Sequence, residues 1–414
     1  MRGLLLTLGG MLMAAALFGA GIILYEDRAL APVAEAEAIP PQSADALTQT
    51  VNTTRVGSDD PVETAVAVAQ IVYPVTEEEN SPGAVVLVNR NELAEVLAAA
   101  SRVQHFPVNA PLLYVDEDSV PALTRAELIR LKPEGVPMDG NVQVYLVGSI
   151  GEAVRDEVEG LGYRVRALIA PDPITLSEVL DDWTSTQHGD HRNAVVVANL
   201  GNLEPAIPSA FWNAHAGDGL VFVTNEGVPE TTRRILERRI NGPWLYLFGD
   251  ESVISNETAR ELAQLGHVTR IPAADAAEAS AYFAGFVDQG RDWGAWYWQG
   301  ERRFGWDNRD AGRNAIFVNL DGPGGWQNAI VATTLSHMGK HAPALMVEAG
   351  TVPADVRAYL ETIRPYLTAP QQQLVNHGWV IGGPQTIGDE TMAALDLLLE
   401  GTDVAAAAQE DEPQ

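Results

Sequence analysis

Asp116-Glu117-Asp118 ends an apolar run and is this chain's nearest approach to a catalytic pair. Carboxylates at the C-terminal end of a parallel strand sit where α/β folds place their chemistry, and Mg²⁺ needs few protein ligands because it keeps its waters. The nearest further carboxylate after the first core strand is Glu92. The corresponding stretches Asn225-Glu226 and Glu348-Ala349 carry no such pair, so the segment reads as a solvated turn. His337 and His341 stand four apart, a spacing that places two imidazoles on one helical face for a metal. Gly339 weakens that helix and no third ligand accompanies them. Charged imidazoles near a helix C-terminus are reason enough for the pair. His188-Gly189-Asp190-His191 is a polar loop and a weak metal signal. Asp321-Gly322-Pro323-Gly324-Gly325 reads as a tight turn, because it lacks the Lys-Ser/Thr of a P-loop and the spacing of a dinucleotide fingerprint. No Gly-x-Ser-x-Gly elbow is present. No catalytic residue, metal ligand or cofactor is expected.

Residues suited to binding are better represented. Arg55, Arg166 and Arg270 each precede an Asp that predicts a helix cap, at Asp60, Asp172 and Asp275. Arg90, Arg102 and Lys340 flank a second helix. Trp293, Trp296 and Trp298 lie in a Gly/Trp/Arg segment, residues 288–313, beside Arg302, Arg303, Arg309 and Arg313. Arginines can meet carboxylates or phosphates bidentately, and exposed tryptophans can stack on sugar rings. The plainer account makes the arginines solvated or internally paired and the tryptophans packing anchors of a long loop.

These residues sit in a pattern stated three times. Gly83–Asn89, Asn193–Asn199 and Asn314–Asn319 are versions of one buried strand. Each is followed by an amphipathic helix, a second apolar strand (Ala110–Val115, Gly219–Thr224, Ala342–Val347) and a Val-Pro helix start at Val120, Val228 or Val352. A third strand then closes on Gly148, Gly249 or Gly382. A period above about 100 residues is too long for a solenoid unit. It describes a small domain in three copies, with strands and helices alternating as in α/β folds with largely parallel sheets. The opening Asp accepts first-turn N–H groups, and Pro61 and Pro173 suit N1. Glu63 and Glu278 predict capping boxes in the first and third copies, where the second has Thr175.

The order of these motifs resembles the cell-wall-binding repeat 2 family. Its repeat opening is similar to Arg55-Val56-Gly57-Ser58-Asp59-Asp60-Pro61-Val62-Glu63-Thr64-Ala65. Its alanine-rich helix resembles Ala94–Ser101, and its Pro-Ile-Leu-Leu strand resembles Pro111-Leu112-Leu113. Its closing Gly-Gly segment resembles Gly249–Ser255 and Gly382–Gly388. The likeness covers roughly residues 51–400. The second copy departs from it at Asp218-Gly219-Leu220, the third at Pro343-Ala344-Leu345 and the first at Gly148-Ser149. The resemblance implies Toprim-like, Rossmann-like α/β modules, three of which pack about a pseudo-threefold axis. It also implies non-covalent attachment to a secondary cell-wall polymer, an anionic glycan or teichoic-type chain. The alternative is a surface scaffold or protein-interaction module with degenerate repeats; an exported Mg²⁺-dependent phosphoryl-transfer enzyme ranks below both.

Composition narrows the setting. Net charge is −30 over 414 residues, which argues against nucleic-acid binding, since that needs a basic surface. An anionic polymer must then be met through local basic groups. With no cysteine, stability rests on burial. Gly3–Tyr25 carries no charge and is long enough to span a bilayer core. Arg2 before it and Glu26-Asp27-Arg28 after it predict a cytoplasmic N-terminus and an extracytoplasmic bulk. Cleavage after Ala31 or Ala36 is the rival reading, giving a secreted, wall-associated protein. The expected organisation is therefore a signal-anchor transmembrane helix (1–25), an Ala/Pro/Glu-rich linker (26–50) and three modules (51–161, 162–266, 267–401, the last with the 288–313 insertion). An acidic tail, 402–414, follows.

Overall fold

The computed structural model describes residues 47–76, 80–102, 104–105, 108–239, 242–289, 303–306, 314–337, 340–364, 366–367, 376–400 and 402–403. The apolar N-terminal segment, Trp293, Trp296, Trp298 and the end of the acidic tail lie outside the described residues. Among those described, no helix is long and apolar enough to cross a membrane.

Three sheets of one design form an α/β fold of three modules. The first orders Leu112–Val115, Val85–Asn89, Val144–Val147 and Val165–Leu168, all parallel. The second orders Gly219–Val223, Ala194–Asn199, Trp244–Phe248 and His267–Ile271, again parallel. The third orders Ala344–Met346, Asn314–Val318, His377–Ile381 and Thr53–Val56. Leu47–Gln49 adds an antiparallel edge to it. The core strands are continuous apolar runs because helices cover both of their faces; Val85, Val86, Leu87 and Val88 are wholly buried.

The sheets do not respect the copy boundaries. The strand that opens each copy is the last strand of the preceding copy's sheet. The opening strand of the first copy, Thr53–Val56, completes the sheet of the third. The chain is thus closed into a cycle by pairing its beginning with its end. The helices repeat the cycle. Pro61–Val72 packs on strand Leu112–Val115 of the first sheet and on the third copy's helices Gly325–Val331 and Thr333–His337. Pro173–His188 packs on Gly219–Val223 and on the first copy's helix Leu93–Arg102. Ala276–Gly285 packs on Ala344–Met346 and on the second copy's helix Ile207–Ala216. The helices that follow the core strands also meet one another around the centre. Buried Ala98, Ala99, Ala100, Ala210, Ala214, Ala329 and Ala332 keep this contact close, because small side chains shorten the distance between helix axes.

The expected caps form, with one change. Asp60 accepts from the Val62 and Glu63 N–H groups, Asp172 from Thr175 and Asp275 from Glu278. Neither predicted capping box closes on its cap residue. The Glu63 carboxylate takes the Ser58 hydroxyl at 2.6 Å, and Ser58 Oγ accepts the Asp60 N–H at 3.0 Å. Glu278 accepts from Ala274, one residue too early, at 2.8 Å. Pro121, Pro229 and Pro353 occupy the N-cap itself, without a side-chain bond.

Candidate functional site

Each core strand ends in the same asparagine. Asn89, Asn199 and Asn319 are buried and make the same pair of bonds. Their Oδ1 accepts from the backbone N–H two residues on, at Asn91, Gly201 or Asp321 (3.1, 2.9 and 3.0 Å). Their Nδ2 donates to a carbonyl in the closing loop, at Ser149, Val253 or Thr386 (3.2, 2.6 and 2.7 Å). The three loops at the strand ends are thereby tied down from within. Closing glycines Gly148, Gly249 and Gly382 have φ of 81°, 133° and 102°, the region where a Cβ is strained. A Cβ at Gly148 would sit 2.2 Å from the Glu95 carboxylate, which instead accepts from Ser149 N and Oγ at 2.6 and 2.7 Å.

The sequence-picked arginines separate into two kinds. Arg55 stands opposite Val380 and Arg270 opposite Leu247, each two residues before the closing glycine. Arg55 is 1% exposed. Its Nη1 donates to the Gly382 carbonyl at 3.0 Å and its Nη2 to Asp389 at 3.1 Å. Arg270 donates to the Gly249 and Asp250 carbonyls at 2.7 and 2.8 Å. Both spend themselves closing a loop. Arg166 is not their equivalent, because it stands opposite Tyr145, one residue out of step. A slip of one residue turns a strand side chain to the other face. There Arg166 pairs with Asp139 at 2.7 Å, beside the Tyr145 hydroxyl and the Trp183 Nε1, which donate to the same carboxylate at 2.9 and 3.1 Å. The structure therefore does not bring the three opening arginines to one surface.

The Asp116 turn is likewise internal. Asp116 accepts from Arg90 Nε at 2.7 Å and caps its own turn through Ser119, as a solvated turn should. Arg102 ends the first central helix. Asp181, Asp182 and His191 bring three ligand-type atoms within 4.8 Å of one another. Asp181 already holds the buried Arg239 at 2.7 Å and His191 at 2.8 Å, and Asp182 binds Arg238. A cation there would have to displace a guanidinium. Among the described residues, the loop Asp321–Gly325 is a turn, with left-handed Gly322 and Gly324 and its Pro323 carbonyl bonded by Thr386 Oγ1 at 2.6 Å.

Other candidates do gather around Lys340 and His341, the second of which reaches across to the second copy. Lys340 Nζ lies 4.5 Å from the centre of the Trp379 ring, a cation–π distance. The next residue, His341, meets His215 from the last turn of Ile207–Ala216, Nδ1 to Nδ1, at 3.0 Å. Trp306 stacks on His215 with centroids 5.6 Å apart, and Trp212 packs edge-on against both. Trp212 Nε1 donates to buried Asp218 at 2.9 Å. Among the described residues, the buried Nε1 groups of Trp306 and Trp379 have no hydrogen-bond partner, a costly state for a donor. His377, on the same strand as Trp379, bonds Thr54 Oγ1 at 3.1 Å. Burial and the charge of Lys340 hold its pKa below the usual histidine value, against an opposing pull from Asp396. Trp379 occupies the place taken by Tyr145 and Tyr246 in the other sheets, three residues before the closing glycine. Both tyrosines have carboxylate partners, Asp139 and Asp288, each at 2.9 Å. Sequence reading missed His215, Trp212 and Trp379. The aromatic at that strand position in all three copies was the signal that could have found Trp379.

No family model matches the chain, and no curated protein matches it in sequence. Solved structures do. The chain is similar to Cwp8 from Clostridium difficile, with a TM-score of 0.63, 17% identity, and 85% of this chain against 52% of that one. It is similar to Cwp6 from the same organism, with a TM-score of 0.63, 15% identity, and 88% of this chain against 51% of that one. The chain therefore spans about half the length of either structure, and what it shares with them is the fold.

Proposed function

We propose that the chain is a non-enzymatic, cell-wall-associated protein, attached without covalent bonds to an anionic wall polymer. The observation that carries this reading is the cyclic three-sheet fold that the chain shares with Cwp8 and Cwp6, arising from repeats whose motif order resembles the cell-wall-binding repeat 2 family. In this reading the three modules stand about a pseudo-threefold axis, and weak binding at each sums through effective concentration. The segment 1–25 holds the protein at the membrane, with the modules outside. Polymer contact falls at the seam around Lys340, Trp379 and Trp306, continuing into the 288–313 insertion. Arg55 and Arg270 turn their bonded donors onto loop carbonyls, and Arg55 also onto Asp389, rather than outward.

A scaffold is the second reading. It is favoured by arginines 90, 125, 130, 166, 233, 234, 238 and 239, all of which are ion-paired within the chain. Co-sedimentation of full-length protein with purified walls, before and after the polymers are stripped, separates the two. Polymer binding predicts retention that disappears on stripping and declines as salt rises, because exposed charge contacts are screened. Retention indifferent to both treatments would sink that reading and leave the scaffold.

A further inference from the structure

His341 has a φ of +49°, a left-handed conformation that is unfavourable for a residue with a Cβ. That turn aims its imidazole at His215. The rings stand at 78° with centroids 4.8 Å apart, and the Nδ1 atoms face each other at 3.0 Å. A neutral imidazole carries one donor and one acceptor nitrogen, so the facing Nδ1 atoms can share a hydrogen bond between rings of opposite tautomer; with both rings protonated on Nε2, the two Nδ1 lone pairs face one point where a metal ion can sit. An ion about 2.0–2.1 Å from each nitrogen would see them roughly 90–95° apart, the cis angle of square-planar or octahedral coordination. Opening to the tetrahedral angle needs only a few tenths of an ångström more. His215 cannot turn away freely, since Trp306 stacks on it and Trp212 packs against its edge. Such packing fixes a ligand ring much as outer-sphere bonds do. His341 is exposed, so water can complete the coordination. The adjoining cation in the chain, Lys340, is turned onto Trp379. A third imidazole, His105 of the first copy, lies against Gly217, two residues beyond His215.

We propose that His215 and His341 form a two-imidazole site for a divalent transition metal of the Zn²⁺, Ni²⁺ and Cu²⁺ class, clipping the second copy to the third. Imidazole pairs favour these ions over Mg²⁺ and Ca²⁺, with Cu²⁺ the tightest.

The test is a titration of full-length protein with Cu²⁺, Ni²⁺ and Mg²⁺, followed by tryptophan emission and by Tm. One equivalent of Cu²⁺ should quench emission, because Trp306 and Trp212 touch the site, and Tm should climb with metal concentration. Mg²⁺ should do neither. His341→Gln and His215→Gln should each weaken Cu²⁺ binding about tenfold or more, and the double variant should lose little beyond either single one. The chain has eight histidines, so His267→Gln, whose ring stacks on Trp244 elsewhere, is the control and should bind as the parent does. His341 lies on an exposed turn, so its variant keeps the test open if His215→Gln fails to fold. Unchanged Cu²⁺ affinity in His341→Gln, or an equal loss in His267→Gln, overturns the proposal.

Discussion

The third copy meets the first and the second through seams of opposite character. Against the first, much of the contact is a network of hydrogen bonds, with the buried Asn328 Oδ1 left over. Gln104 donates to Thr333 Oγ1 at 2.6 Å and accepts from Thr334 at 2.8 Å. Tyr114 gives its hydroxyl to the Gln327 carbonyl at 2.7 Å, and Asp59 takes the Thr386 N–H and hydroxyl at 2.9 and 2.8 Å. Against the second, the contact is built of Trp212, Trp306, His215 and His341, and one indole N–H is left unanswered. A satisfied polar network fixes register, and losing any member leaves the others stranded in low dielectric. An aromatic contact with an open donor tolerates change and leaves room for a ligand. One seam holds the cycle in register, and the other is available for function.

Three measurements would break or sharpen that contrast. The largest effect is expected at Gln104→Ala, which strands the Thr334 hydroxyl in a fully buried site, while Thr333 still donates to the Ile330 carbonyl. It should cost about 1–3 kcal/mol in denaturant unfolding; a cost below about 0.5 kcal/mol would mean the bonded seam does not hold the copies. A smaller effect is expected from His377. Its folded pKa is depressed by burial and by Lys340, so below its ordinary value of about 6.5 the unfolded chain binds the proton more readily. Stability is then full above that pH and declines as pH falls through it. His377→Gln should flatten the slope, and an unchanged slope would assign it to another group. The smallest effect is expected at Trp306→Phe, which keeps an aromatic ring over His215, removes the unpaired N–H and gives up part of the indole's packing. Its stability should stay within about 1 kcal/mol of the parent. A loss matching that of Gln104→Ala would erase the distinction.

The core strands, the Asp caps and the alternation of strand and helix were legible because they are local. Each is spelled by neighbouring residues, in triplicate. The misaligned arginine was legible too, in a spacing passed over: Arg55 and Arg270 stand five residues before their capping Asp, and Arg166 stands six. Asn89, Asn199 and Asn319 were visible as a shared last letter, but their bonds reach loops about 50–70 residues away, and no local rule assigns those. His215 and His341 lie 126 residues apart. Only the packing of two central helices brings them together, and the spacing of four between His337 and His341, read as charge at a helix C-terminus, carries no sign of that contact.

Closure by the strand Thr53–Val56 has a consequence for the order of folding. A chain emerging from its N-terminal end can complete the first sheet once residue 168 is out, and the second once residue 271 is out. The third sheet must wait for His377–Ile381. Until then Thr53–Val56 has one edge covered by the short strand Leu47–Gln49, the other edge open, and an arginine destined for burial. Joining ends so far apart costs only slightly more entropy than joining near ones, since that cost grows with the logarithm of the loop. The delay is the larger matter, because non-local strand pairing is slow and open strand edges invite wrong partners. Asp396 in the last helix accepts from the Thr50 hydroxyl and, at 2.7 Å, from the Asn52 N–H, fastening the late-arriving partner to the strand that waited for it.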